Sequence, residues 1–274
     1  MIIENTVRCV NEMTGNYTDK VTAVIPTYNE AYNLDQLFSQ LFELNLPNFG
    51  IIIIDDNSPD DTAKIAHNLS SQYGGKIEVI VRPQKAGLGT AYKHGFKRAV
   101  ESGSKYLIQL DADLSHPISE IPIMLEKLKK VDVVVGSRYS SSFWNFNAET
   151  KWPLRRRLLS SLGNLAIRMV SGIEVHDTTS GFKAIKHNVI HNIKLDDFVC
   201  KGFGFQAEMA FKCQSKGYKT IEHPITFVNR TKGNSKMSLS IIAESILVLL
   251  CLRINQIKNR LFLNKNFKNR IFYD

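Results

Sequence analysis

The sequence predicts an α/β fold: a mostly parallel sheet with helices on both faces. Two observations predict it. Short apolar, β-branched runs alternate with helically spaced segments from Val21 to Gly136. The run Ile51–Ile54 is apolar without interruption, as in a parallel strand covered on both sides. Alternation at this short spacing implies strand–helix–strand units.

The elements follow in order. Residues 1–20 are mixed and polar and read as an N-terminal arm. Val21–Ile25 is a short buried strand, ended by Pro26. Asn33–Leu46 carries Leu34, Leu37, Phe38, Leu41, Phe42 and Leu44 at helical spacing. After the strand Ile51–Ile54, Ser58 and Asp60 can cap a helix over Asp61–Tyr73. Ile77–Val81 is a strand, Thr90–Ser102 a helix, Tyr106–Leu110 a strand, Ile118–Lys130 a helix and Asp132–Gly136 a strand. The alternation then stops. Ser140–Ala148 reads as a polar and aromatic loop, Leu154–Val170 as a basic amphipathic helix, Phe205–Ser215 as a helix and Lys219–Val228 as strand-like. Leu239–Leu252 is apolar except for Glu244 and Ser245, and precedes a basic tail. The simplest division is an arm (1–20), one main domain (21–236) and a C-terminal amphipathic helix with its tail (237–274).

The 274 residues are 43% hydrophobic and 22% charged, an ordinary globular balance. No signal-peptide pattern opens the chain, and no apolar stretch reaches the ~18 residues of a spanning helix. These features predict a soluble or peripheral protein. Cys9, Cys200, Cys213 and Cys251 form no CxxC, which fits a reduced, intracellular setting. Residues 1–150 hold 14 Lys and Arg against 18 Asp and Glu, while 151–274 hold 21 against 8. A basic half of this kind fits an anionic membrane, a phosphorylated ligand, nucleic acid or a merely solvated surface. Nucleic acid is disfavoured, because the aromatic residues do not interleave with the basic ones as a stacking platform requires.

Asp111-Ala112-Asp113 is the strongest isolated motif. Alternate residues of an extended segment point the same way, so both carboxylates can face one divalent cation. A turn or cap pair leading into Leu114-Ser115-His116-Pro117 is the other reading, and His116 reads as structural. Asp55-Asp56-Asn57-Ser58 follows a buried strand; there Asp55 suits a ribose or base hydroxyl and Asp56 suits turn chemistry. Pro26-Thr27-Tyr28-Asn29-Glu30 can present an aromatic face and a carboxylate to a nucleobase, or form a capping box. Both acidic motifs fall at strand C-termini, where ligands bind in such sheets. Gly87-Leu88-Gly89 resembles an anion loop, though two glycines carry little weight. Arg156 and Ser160 are four apart on a predicted helix and share its face. With Arg138, Arg230 and Lys236 they form a set suited to phosphate.

These stretches resemble the dolichol-phosphate mannosyltransferase branch of family 2 glycosyltransferases. The matching stretches are PTYNEAYNL (26–34), IIIIDDNSPDDT (51–62), GLGTAY (87–92), DADLSHP (111–117), GSRY (136–139), DTTSGF (177–182), KGFGFQAEM (201–209) and PITFVNRTKGNSK (224–236). They keep the family's order from Pro26 to Lys236. The resemblance implies a GT-A fold, a GDP-mannose donor and a polyprenyl or dolichyl phosphate acceptor. It implies nucleotide contacts at Pro26, Tyr28, Glu30, Ile53 and Asp55, and Mg2+ or Mn2+ at Asp111 and Asp113, with Ala112 against the donor. Arg138, Arg230 and Lys236 would meet donor or lipid phosphates. Ser115 stands where some relatives carry a metal-binding Gln. Asp61 stands where the family usually has Gly, and Asn229 replaces an Asp.

An acceptor phosphomonoester, with its second pKa near ~6, is already a nucleophile at neutral pH. No catalytic base is then needed, and one displacement inverts the anomeric centre. Asp113, Arg138, Arg156 and Ser160 would carry the reaction, the last three by holding the attacking phosphate. Lys232–Lys236 suits a loop that orders when donor and metal bind. The apolar stretch and basic tail fit the cytoplasmic face of a membrane, alone or docked on small membrane subunits. A UDP-glucose donor with undecaprenyl phosphate is the alternative substrate pair. A non-catalytic scaffold is the remote alternative.

Overall fold

The computed structural model describes residues 18–139, 154–227, 243 and 245–258, with the side chains of 154–157 excepted. Residues 1–17 of the arm, the Ser140–Ala148 loop, Arg230, Lys232–Lys236 and the tail beyond residue 258 lie outside the described residues.

Among the described residues, seven strands form one sheet in the order β3-β2-β1-β4-β6-β5-β7. β1 is Val21–Thr27, β2 Phe49–Asp55, β3 Ile77–Val81, β4 Tyr106–Gln109, β5 Val133–Ser137, β6 Lys183–Lys186 and β7 Thr220–Pro224. The β1–β2, β2–β3, β1–β4 and β5–β7 pairs are parallel; β6 runs antiparallel to both β4 and β5. The helices are α1 (Leu34–Phe42), α2 (Thr62–Gln72), α3 (Leu88–Glu101), α4 (Ile121–Leu128), α5 (Leu154–Ser171), α6 (His187–Asn192) and α7 (Phe205–Ser215). Residues 245–258 form a C-terminal helix, α8.

The uninterrupted apolar strands are explained by two cores. Ala23, Ile25, Ile51 and Ile53 face α1, α2 and α4, in a core with Leu37, Phe38, Ala66 and Met124. Val24, Ile52 and Ile54 face the other way, in a core with Tyr92 and Phe96 of α3, Phe205 of α7 and Leu249 of α8. β1 and β2 therefore bury both of their alternating faces.

Several boundaries differ from the sequence reading. Pro26 does not end β1: it pairs with Ile54, and β1 continues to Thr27. The helix expected over Asn33–Leu46 is a 3₁₀ turn at Ala31–Asn33 followed by α1, which stops at Phe42. Asp60 caps α2, its Oδ1 accepting the Thr62 N–H at 3.1 Å, while the Ser58 hydroxyl turns to Asp55. Asp61 adopts a left-handed φ of 62°. Glycine meets no steric penalty in that conformation, which explains the family's usual Gly there. β6 was not expected at all, and the strand expected over Lys219–Val228 is only Thr220–Pro224.

Candidate active site

The strand order reverses direction around β1: β2 and β3 lie on one side and β4 on the other. A crevice opens at such a switch point, beyond the strand C-termini. A cavity sits there. Its lining includes Pro26, Thr27, Tyr28 and Glu30 after β1, Asp56 after β2, Lys85, Gly87 and Leu88 before and at the start of α3, Asp111, Ala112 and Asp113 after β4, and Gly202 and Phe203 before α7. Another hollow lies at the opposite edge, lined by Lys20, Asn48 and Lys76. It has no pair of converging carboxylates and faces the wrong ends of the strands.

The acidic pair is held tightly. Tyr92 donates its hydroxyl to Asp111 Oδ1 at 2.9 Å, and the Asp111 N–H donates to His116 Nδ1 at 3.1 Å. Burial pushes the His116 pKa down, so the ring is the neutral acceptor that this contact requires. The same ring stacks on Phe182 at 5.1 Å. Leu114 turns the chain with a left-handed φ of 59°, and the Ser115 N–H then reaches Asp113 Oδ1 at 3.1 Å. A β-carbon on Gly181 would meet the Asp111 carboxylate at 3.1 Å, so this glycine leaves the carboxylate its seat.

These residues fit a divalent cation. No described residue donates a hydrogen bond to Asp111 Oδ2, and the buried Ser115 hydroxyl beside Asp113 has no partner. No group of three or more His, Cys, Asp or Glu residues forms a complete metal cage among the described residues. Two carboxylates with phosphate and water completing the shell is the usual Mg2+ arrangement.

The other expected residues are placed differently. Ile53 is wholly buried in the core and does not line the cavity. Asp55 is buried too. Its carboxylate accepts from Thr27 Oγ1 at 2.8 Å, Ser58 N at 2.8 Å and Ser58 Oγ at 2.6 Å, tying the ends of β1 and β2 together. Asp56 lines the cavity and forms a buried ion pair with Arg82. Arg138 faces Asp177, with Nε and Nη2 donating to its carboxylate at 2.8 and 2.6 Å and Nη2 also reaching Thr179 at 2.7 Å. Burial alone would raise the Asp177 pKa, but Arg138 holds it below the carboxylate range. Ser160 is buried on α5, 3.0 Å from the Tyr139 hydroxyl, and Asn164 binds the same hydroxyl at 3.0 Å. Asn164 Oδ1 also accepts the Thr178 N–H at 2.9 Å, so α5 is pinned to the DTTSGF turn. The side chain of Arg156, and all of Arg230 and Lys236, lie outside the described residues.

Sequence reasoning gave no role to Lys85, Tyr92, Lys183 or Phe203. Lys85 Nζ lies 3.7 Å over the Tyr28 ring at the cavity wall. GLGTAY and KGFGFQAEM contain Tyr92 and Phe203, but a motif does not say which of its residues face the cavity. The Gly87-Leu88-Gly89 turn is not an open anion loop. The Gly89 N–H already donates to Lys201 O at 2.8 Å, and a β-carbon there would sit 2.7 Å from Cys200 O. Its glycines admit the 200–201 segment, which carries Gly202 and Phe203 to the cavity.

Comparison with known proteins places the chain in a family. The chain is 36% identical over 227 residues to the undecaprenyl-phosphate mannosyltransferase of Micrococcus luteus, covering 83% of this chain and 91% of that one. It is 35% identical over 230 residues to the polyprenol monophosphomannose synthase of Mycolicibacterium smegmatis, covering 84% and 85%. Identity to the dolichol-phosphate mannosyltransferase of Pyrococcus furiosus is 36% over 231 residues, 82% of this chain and 61% of that longer one. Glucosyl-3-phosphoglycerate synthase from Mycobacterium tuberculosis, crystallised with Mn2+, UDP and glucosyl-3-phosphoglycerate, superposes with a TM-score of 0.61 at 16% identity, over 89% of this chain and 83% of that one. The same enzyme with Mg2+ and UDP gives 0.62. That likeness shows the shared GT-A fold. The glycosyl transferase family 2 pattern matches residues 22–194. Kinship over this much of the chain settles the membership: the protein is a glycosyltransferase of family 2.

Proposed function

We propose that the protein transfers one mannose, with inversion, from GDP-mannose to a polyprenyl phosphate. The observation that carries the proposal is the convergence of Asp111 and Asp113 with Tyr28 and Glu30 in one cleft at the sheet's switch point. Relatives at 35–36% identity named as mannosyltransferases or a phosphomannose synthase acting on polyprenol-type lipids supply the sugar and the acceptor class. The nucleoside stacks by the Tyr28–Lys85 wall, with Glu30 as hydrogen-bond acceptor; Pro26 and Ala112 shape the floor, and Ile53 and Asp55 support it from beneath. Mg2+ or Mn2+ on Asp111 and Asp113, with Ser115 nearby, supplies the charge that neutralises the diphosphate leaving group. Arg138, fixed on Asp177, adds positive charge from a rigid position, and Arg230 and Lys236 close on the phosphates. Arg156 holds the acceptor phosphate, whose oxygen attacks without a protein base, while Ser160, buried against Tyr139, steadies α5.

The acceptor requires a membrane surface, and two helices support one. α5 exposes Leu158, Leu162 and Met169, and α8 exposes Leu247, Leu250, Ile254 and Ile257. No helix among the described residues is long and apolar enough to cross a bilayer. The division of labour is chemistry in 21–236 and docking in 237–274, at the cytoplasmic leaflet, with or without small membrane subunits.

Labelled GDP-mannose, Mn2+ and a polyprenyl phosphate should yield label in the organic phase, and Asp111→Ala should abolish it. Label from UDP-glucose alone overturns the donor assignment. Near-normal turnover by Asp111→Ala overturns the metal site.

A further inference from the structure

We infer that Tyr92 is a positioning residue for the metal-binding carboxylate of Asp111. The inference rests on the metal role proposed above for Asp111. Tyr92 lies on the inward face of α3 and is fully buried. Its ring stacks on Phe96, 5.7 Å away, and on Phe205, 5.9 Å away. Full burial and these two ring contacts restrain the phenol and so hold its hydroxyl in place. From that place it donates to Asp111 Oδ1 at 2.9 Å.

The rest of the Asp111 environment narrows what this bond does. The backbone at Gly181 closes one side of the carboxylate, since even a β-carbon there would approach to 3.1 Å. The backbone N–H is held by His116. The phenol's bond to Oδ1 and the Gly181 backbone, packed nearest Oδ2, together fix the plane in which the carboxylate would meet a cation. The bonded ring also ties α3, whose start forms the cavity wall at Gly87 and Leu88, to the acidic motif after β4. Partners of metal ligands that act this way typically contribute 10–100-fold to metal affinity.

Tyr92→Phe isolates the bond, because phenylalanine keeps both stacking contacts and removes one hydroxyl. Mn2+ binding is read directly, by calorimetry or electron paramagnetic resonance, on protein saturated with GDP. The variant is expected to bind Mn2+ 10–100-fold more weakly. Its KM for Mn2+ should rise in parallel, while its KM for the lipid acceptor stays within twofold. Circular dichroism and the metal-free thermal midpoint report whether the fold is retained. A variant with weakened aromatic packing but an intact hydroxyl, Phe96→Leu, should lose stability more than Mn2+ affinity. Equal Mn2+ affinity in Tyr92→Phe and the parent overturns the inference, as does an equal loss in Phe96→Leu. Asp111→Ala tests the underlying reading separately: if it binds Mn2+ with GDP as the parent does, the metal site itself is wrong, whatever Tyr92→Phe shows.

Discussion

At the scale of single residues, one charge is buried in the sheet behind the site. Lys183 is 1% exposed, in the middle of the sheet opposite Gln109. Its ammonium donates to Ser180 O and to Gln206 Oε1, which also accepts from Gln109. Burial pulls its pKa from 10.5 to about 8, against the opposing pull of Asp177, Cys213 and Asp111. The folded pKa is thus below the unfolded one. Between pH 8 and about 10 the unfolded chain takes up more protons, so this group makes the fold more stable as pH rises. The effect is lost once both states are protonated, below pH 8. Comparing urea unfolding of the parent with Lys183→Met cancels the other groups that titrate there. The parent's relative stability should grow by about 2 kcal/mol from pH 8 to pH 10. A flat difference would mean that the lysine is hydrated in solution. Lys183 also shows where sequence reading stops. A lysine opening the strand Lys183-Ala184-Ile185-Lys186 reads as a solvent-facing end, and only the antiparallel insertion of β6 between β4 and β5 makes it interior.

At the scale of elements, what was legible depended on periodicity and what was not depended on partners. β1 to β5 and the helices between them were readable because each buries a face that its own sequence displays. Their ends were not. Pro26 stays within β1 because it shares the parity of Val24, whose backbone faces β4, and β4 ends at Gln109 opposite Val24, so no strand on that side needs a Pro26 N–H. β6 has four residues and no alternation of its own; it exists because the DTTSGF turn returns the chain between two strands already in place. That the acidic motifs after β2 and β4 border one cleft could be expected, because both follow strand C-termini. That Arg138 faces Asp177, and that Ser160 faces Tyr139, could not, since each contact joins segments that sequence spacing does not relate. The start of α3 makes the point testable. Gly89 is helical, and its missing side chain matters because Cys200 O and the Phe205 β-carbon would lie 2.7 and 2.8 Å from a β-carbon. Gly89→Ala must push the 200–205 segment outward, and overpacking of this kind costs about 1–3 kcal/mol. The same segment carries Gly202 and Phe203 to the cavity. The variant is therefore expected to lose thermal stability and nucleotide affinity together. Retained nucleotide affinity in a destabilised variant would separate the wall from the site.

At the scale of the whole molecule, the two halves differ in charge and in what they leave uncovered. α8 packs Ser245 and Leu249 inward, where Leu249 is fully buried. Its opposite face presents Leu247, Leu250, Ile254 and Ile257, spaced as one helical stripe, each at least 41% exposed. The guanidinium of Arg253 lies over Gly172, just beyond the C-terminus of α5, so the two helices with exposed apolar residues are neighbours there. Soluble proteins seldom leave contiguous apolar stripes bare. The 21 Lys and Arg of residues 151–274, against 8 Asp and Glu, add attraction to an anionic leaflet. These contributions can be separated by flotation on vesicles. Each apolar side chain entering the acyl boundary is worth about 1–2 kcal/mol, so the double variant Leu250→Glu with Ile254→Glu should lower partitioning onto vesicles roughly 100-fold. High salt should weaken the parent's binding to anionic vesicles by removing the electrostatic part, and leave its weaker binding to neutral vesicles unchanged. Turnover on vesicle-embedded polyprenyl phosphate should fall with partitioning, while Mn2+-dependent GDP binding in solution holds, because the stripe points away from the packed core of α8. Undiminished vesicle binding by the double variant would assign the stripe to a protein partner instead of lipid.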